Sequence, residues 1–167
     1  MKIRIALDMD GVCFDCSGAC FKHLNINLND PNIYHIAKTE HDAASILAGR
    51  EKVDDMINSL GSEFWANLEP LPWAKNLISY MQIMGDVFFL SSPGQYDDAL
   101  AGKKQAIEKH FNDVPLILGK DKHLLAHKKC VLIDDKKKNV DLFQEYGGWS
   151  YLWANQYKIL ENNQNGA

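Results

Sequence analysis

Two aspartates, Asp8 and Asp10, stand one residue apart where the apolar run Ile3-Arg4-Ile5-Ala6-Leu7 ends, and Gly11 follows them. Successive side chains of a strand alternate, so residues i and i+2 at its tip project to the same side. The pair offers two carboxylates to one place. Turn chemistry alone could explain them, because aspartate favours turns. The other apolar runs argue against that bland reading.

Ser91, Ser92, Pro93 and Gly94 follow the run at 86–90. Gly119, Lys120, Asp121 and Lys122 follow the run at 115–118. Asp134 and Asp135 follow the run at 130–133. In an open parallel α/β sheet, ligands bind beyond the carboxyl ends of the strands. Four tips carrying acids, hydroxyls, lysines and more acids would converge on one pocket. Four carboxylates meeting there would repel one another unless a cation sat among them. Oxygen donors suit Mg²⁺. Lys122 and the serines then add the positive charge and hydroxyl donors that a magnesium-bound phosphate needs. Taken singly, the serines read as a plain loop, Lys122 as a solvated lysine, and Lys136 to Lys138 as an exposed helix face.

The elements that must position these groups follow from the apolar pattern. Runs at 3–7, 86–90, 115–118, 130–133 and 149–152 are short and apolar with little alternation, as strands covered on both faces are. Helical patterns occupy 73–84, 97–111 and 136–145. Leu77, Tyr80, Met81 and Met84 give the first of these one apolar face. Strands alternating with helices predict an α/β fold, a Rossmann-like parallel sheet core. Residues 17–70 break the rhythm. They carry helical patterns around 17–24, 41–48 and 51–60 with the turn-rich stretch NINLNDPN between, and Pro70 and Pro72 mark the return. The expected organisation is a core of 1–16 and 71–167 with a small helical cap, 17–70, inserted after the first strand. The polar tail ENNQNGA is expected to fray.

The 167 residues are expected to form one domain able to bury roughly 70% of its unfolded surface. A net charge of −4 speaks against a nucleic-acid scaffold, although a local field can still bind a small anion. No run reaches the roughly 18 apolar residues of a membrane span, and the N-terminus does not read as a signal peptide. A cytoplasmic protein is expected, its oligomeric state left open. Cys13, Cys16 and Cys20 lie close together, but Cys130 stands alone, so small buried residues are a better reading than a zinc site.

LDMDGV, FFLSSP, ILGKDK and LIDDK, in that order, resemble the four motifs of the haloacid dehalogenase superfamily of phosphotransferases. The closer resemblance is to its 5′(3′)-deoxyribonucleotidases. Their first motif also reads DMDGV with an aspartate a few residues on, here Asp15. The stretch FWANLEPLP is similar to the segment by which their cap rejoins the core. The resemblance implies hydrolysis of a deoxynucleoside monophosphate through an aspartyl-phosphate. Asp8 would be the nucleophile and Asp10 the general acid and base. Mg²⁺ would be held by Asp8, the Asp10 carbonyl and a fourth-motif acid, Asp135 directly and Asp134 behind it. Ser91, Ser92 and Lys122 would bind the phosphate. Phe64 and Trp65 would stack on a base, with Phe14, Phe21 and Tyr34 behind them. The chain departs from the pattern at Cys16, where those enzymes carry an aromatic, and at Ser91, where threonine is common. Rival readings are a phosphatase of another small phosphomonoester or of polynucleotide 3′-phosphate ends, which Lys120, Lys122, Lys128 and Lys129 could favour, and a non-catalytic phosphate-binding module.

Overall fold

The structure, a computed structural model, describes residues 2–93 and 95–164. Its centre is a five-stranded parallel sheet of β1 (Ile3–Leu7), β2 (Gly85–Ser91), β3 (Leu116–Leu118), β4 (Cys130–Asp134) and β5 (Trp149–Leu152), in the order β3-β2-β1-β4-β5. The predicted strands are all present, with boundaries shifted by at most a residue. β1 runs down the middle, with Leu7 opposite Phe89 of β2 and Ile133 of β4. That order sets the tips of β1, β2 and β4 side by side. Only the central strands are covered on both faces. The short edge strands β3 and β5 stay partly open, because each has a neighbour on one side only.

Between β1 and β2 the chain forms α1 (Cys16–His23), α2 (Pro31–Thr39), α3 (Ala43–Ala48), α4 (Arg50–Leu60), α5 (Ser62–Ala66) and α6 (Ala74–Met84). α7 (Ala99–His110) links β2 to β3, a 3₁₀ turn (Lys122–Leu125) precedes β4, α8 (Lys137–Glu145) precedes β5, and α9 (Gln156–Gln164) closes the described chain. The NINLNDPN stretch is not only turn. Asp30 caps α2 by accepting from Asn32 N at 2.8 Å, and Pro31 takes the first helical position, where its missing N–H costs nothing. The tail is helical through Gln164, and residues 165–167, like Gly94, lie outside the described residues. On α6 the buried face is Ala74, Leu77 and Ile78, with Met81 half-buried. Tyr80 and Met84 face solvent, so the true stripe is rotated from the expected one.

One apolar cluster runs from the sheet (Ile5, Leu7, Val87, Phe89) into the insertion (Phe21, Ala37, Val53, Ile57). The chain leaves and rejoins the sheet layer along paired segments. Asp15 N donates to Glu69 O at 2.9 Å, Leu71 N donates to Cys13 O at 2.9 Å, and Trp73 Nε1 donates to Val12 O at 2.8 Å. α5 packs closely on α7 at Gly102, where a Cβ would collide with Ser62 O and Trp65 Cβ. α9 and the residue before it hold the other side of the insertion through Lys38–Glu161 at 3.0 Å and Asn155 Nδ2 to Ala37 O at 3.2 Å. No described helix is long and apolar enough to cross a membrane.

Candidate active site

Asp8 leaves β1 with its N–H still bonded to Ile133 O at 2.8 Å, so its carboxylate is fixed at the junction of β1 and β4. Lys122, from the turn after β3, donates to Asp8 Oδ1 and to Asp134 Oδ2, each at 2.6 Å. All three side chains are buried. Burial would push the Lys122 ammonium towards its neutral form. The two carboxylates outweigh that and hold its pKa above the ordinary lysine value.

Asp134 and Asp135 differ in their partners. Lys136 N donates to Asp134 Oδ1 at 2.8 Å, and Asn139 Nδ2 reaches both Asp134 oxygens at 3.0 Å. With Lys122, the carboxylate is fully engaged. Among the described residues Asp135 meets only His41 Nδ1, 3.4 Å from its Oδ2, and its buried Oδ1 has no partner. Burial raises the pKa of both acids, and the Asp8 charge raises each further, while Lys122 and His41 pull in the other direction. Gly11 turns the chain at φ +80°, and a Cβ there would collide with Asp135 Oδ2. Ligand atoms of Asp8, Asp134 and Asp135 lie within 4.8 Å of one another. This all-oxygen cluster, with one buried oxygen unpartnered, fits a hard divalent cation.

Asp10 engages a different lysine. Its Oδ2 accepts from Lys103 Nζ at 2.6 Å, and its Oδ1 is buried without a partner among the described residues. Lys103 also donates to Ser91 Oγ at 2.8 Å and Ser92 O at 2.9 Å, and its ammonium lies 4.6 Å from the Trp65 ring centroid. Sequence reasoning missed this lysine. The signal was available: Ala99, Gly102, Lys103, Ala106 and Ile107 form the buried stripe of α7, and a lysine on such a stripe needs buried partners.

Asp10, Lys103, Ser92 and Asp135 line a cavity of about 220 Å³. Trp65, Arg50, Tyr96 and His41 line it too, the last three unsuspected from the sequence. Phe14 and Phe64 do not. Phe14 is fully buried against Phe89 and Phe111, because the turn after Asp10 points it into the core. Phe64 packs on Trp65 and His23. Phe21 and Tyr34 pack beside Tyr157. Cys16 and Cys20 line the cavity as free thiols on α1.

Residues 1–163 match the family described as 5′ nucleotidase, deoxy (Pyrimidine), cytosolic type C protein. The chain belongs to this family. It is accordingly a phosphatase of the 5′-nucleotidase kind, within the haloacid dehalogenase superfamily. Among curated proteins no sequence matches it. Solved structures share the family's fold at low identity. A hydrolase from Streptococcus pneumoniae TIGR4 is 14% identical, with 99% of this chain and 98% of that one covered and a TM-score of 0.58. The L-2-haloacid dehalogenase of Xanthobacter autotrophicus is 12% identical, covering 100% and 84%, with a TM-score of 0.58. The HAD-hydrolase YfnB of Bacillus subtilis, bound to magnesium, is 14% identical, covering 89% and 85%, with a TM-score of 0.55.

Proposed function

We propose that this nucleotidase is a Mg²⁺-dependent 5′(3′)-deoxyribonucleotidase of the cytoplasm, in which Asp8 attacks the phosphorus of a deoxynucleoside monophosphate. The observation that carries the reading is the buried Asp8–Lys122–Asp134 chain beside Asp135, at the tips of adjacent strands. The Lys122 bond engages Asp8 Oδ1 and leaves Oδ2 to form the new P–O bond. As the P–O bond to the sugar breaks, Asp10 gives its proton to the leaving oxygen. The unpartnered Oδ1 supports that role. Water then attacks the aspartyl-phosphate, Asp10 takes its proton, and Asp8 is freed with phosphate. Lys122, with Ser91 and Ser92, offsets the charge on the phosphoryl group.

Asp8, Asp135 and the Asp10 carbonyl would hold the ion, with Asp134 behind them, its oxygens already taken by Lys122, Lys136 N and Asn139. When bound, Mg²⁺ supplies positive charge that screens the carboxylates and draws electrons from the phosphate oxygens. Helices α1 to α5 act as the cap, excluding water and reading the leaving group.

The test is phosphate release from 5′- and 3′-monophosphates, deoxy and ribo, with Mg²⁺ and with EDTA. Metal-dependent release that prefers deoxynucleotides is expected. Turnover of an aryl phosphate without any nucleotide would keep the superfamily chemistry and remove the nucleotide assignment.

A further inference from the structure

Cys16 opens α1, and Cys20 lies one turn further on. Both thiols are free, and both line the cavity that holds Asp10. The Cys16 thiol donates a hydrogen bond to the Cys20 sulfur. That bond, with the Arg50 charge in support, holds the Cys20 thiol below its ordinary pKa, against burial and the charges of Asp10 and Asp15. Burial instead pushes the Cys13 and Cys130 thiols up, so neither offers much thiolate. The phosphoryl chemistry uses none of these sulfurs.

Residues i and i+4 of a helix have Cα atoms about 6 Å apart, inside the range a disulfide spans. Their Cβ atoms, about 5–6 Å apart, must close to about 4 Å before the sulfurs can bond. The first turn of α1 therefore has to yield. The Phe14 carbonyl accepts from Cys16 N at 3.1 Å and from Gly11 N at 3.0 Å. Gly11 follows Asp10, and a Cβ there would already collide with Asp135 Oδ2. A shift at Cys16 thus passes through one carbonyl to the turn that sets Asp10 and meets Asp135.

We propose that Cys16 and Cys20 are a modification site for hydroperoxides, oxidised to a reversible disulfide within α1 that stops hydrolysis at the strand tips. The Cys20 thiolate attacks one oxygen of hydrogen peroxide. The O–O bond breaks, hydroxide leaves and takes up a proton, and Cys20 becomes a sulfenic acid. The Cys16 sulfur then attacks the Cys20 sulfur, the S–O bond breaks, and water leaves with the Cys16 proton. Two thiols and one peroxide give one disulfide and two waters, the sulfurs losing the two electrons that the peroxide gains. The inference uses only the phosphatase chemistry of the site and holds whichever phosphomonoester is the substrate.

Reduced protein is treated with hydrogen peroxide, unfolded, alkylated, digested and read by mass spectrometry, with hydrolysis of an aryl phosphate measured in parallel. The peptide spanning Cys13 to Cys20 is expected to lose two hydrogens, with Cys13 still alkylated. Hydrolysis is expected to fall about 10-fold or more, and dithiothreitol should reverse both changes. In Cys16→Ser, oxidation should stop at a Cys20 sulfenic acid that dimedone captures. In Cys20→Ser, Cys16 should stay alkylated and hydrolysis should resist the same dose. Melting curves report that the variants are folded. A wild type in which no disulfide forms, or in which it includes Cys13 or Cys130, overturns the proposal. So does a Cys16–Cys20 disulfide with unchanged hydrolysis, or a loss of hydrolysis that dithiothreitol does not reverse or that Cys20→Ser shares.

Discussion

Lys103 Nζ lies 2.6 Å from Asp10 Oδ2, and the two residues are 93 positions apart in the chain. The lysine side chain is 1% exposed. An ammonium so deeply buried is costly unless every donor is met. Here Asp10, Ser91 and the Ser92 carbonyl meet them, and the Trp65 ring adds a cation–π contact. One side chain of α7 therefore fixes the proposed proton carrier from β1 and a proposed phosphate ligand from β2, and touches the insertion at Trp65. Lys103→Met should lose about 10²-fold or more in kcat, because Asp10 and Ser91 lose their common anchor. The fold should lose less stability than when a fully buried pair is broken, because the Asp10 side chain left behind is 31% exposed and its charge can be hydrated. Steady-state kinetics beside a melting curve separates the two effects.

Lys122 is predicted to behave differently. Both its partners are buried carboxylates, so Lys122→Ala strands two negative charges. A loss of about 3–5 kcal/mol is expected in EDTA. Added Mg²⁺ should restore part of it by binding only the folded site. Denaturant unfolding with and without Mg²⁺ checks this.

Gly11→Ala should weaken the proposed metal site without removing a ligand. The position has φ +80°, and the added methyl would meet Asp135 Oδ2. About 1–3 kcal/mol of strain is expected, together with weaker Mg²⁺ affinity by titration calorimetry.

Asp54 gives a pH prediction. The Tyr96 hydrogen bond, aided by Arg50 and Gln95, holds its carboxyl below the ordinary aspartate value, against a smaller opposing effect of burial. A group depressed on folding adds stability above its unfolded pKa of about 3.9, and that contribution is lost as pH falls through the folded value. Asp54→Asn should therefore be less stable at neutral pH and should lose less stability on acidification. Urea melts from neutral to acid pH measure both slopes.

The sheet and its charged tips were legible because both obey short-range rules. Central parallel strands read as unbroken apolar runs, so the acids and hydroxyls ending them stand out. The 3-2-1-4-5 order then brings residues 8, 91, 122 and 134 together. What escaped depends on distant partners. α5, five residues long, is too short to announce itself by periodicity, and α2 hides behind an Asp-Pro that reads as a turn. Lys103 sits beside Lys104 in a stretch that looks solvated, and only the buried stripe around it marks it out. Phe14 looked available to a substrate by its place in the motif, yet the turn after Asp10 sends it into the core.

The central claim is that Asp8 becomes phosphorylated, and it can be read directly. Enzyme turning over a deoxynucleoside monophosphate with Mg²⁺ is quenched in acid, digested and sequenced by mass spectrometry. A phosphoryl group on the Asp8 side chain, absent with EDTA and absent in Asp8→Asn, is the predicted result. Sustained turnover with no phosphorylated peptide, or with the phosphoryl group on another residue, would contradict it.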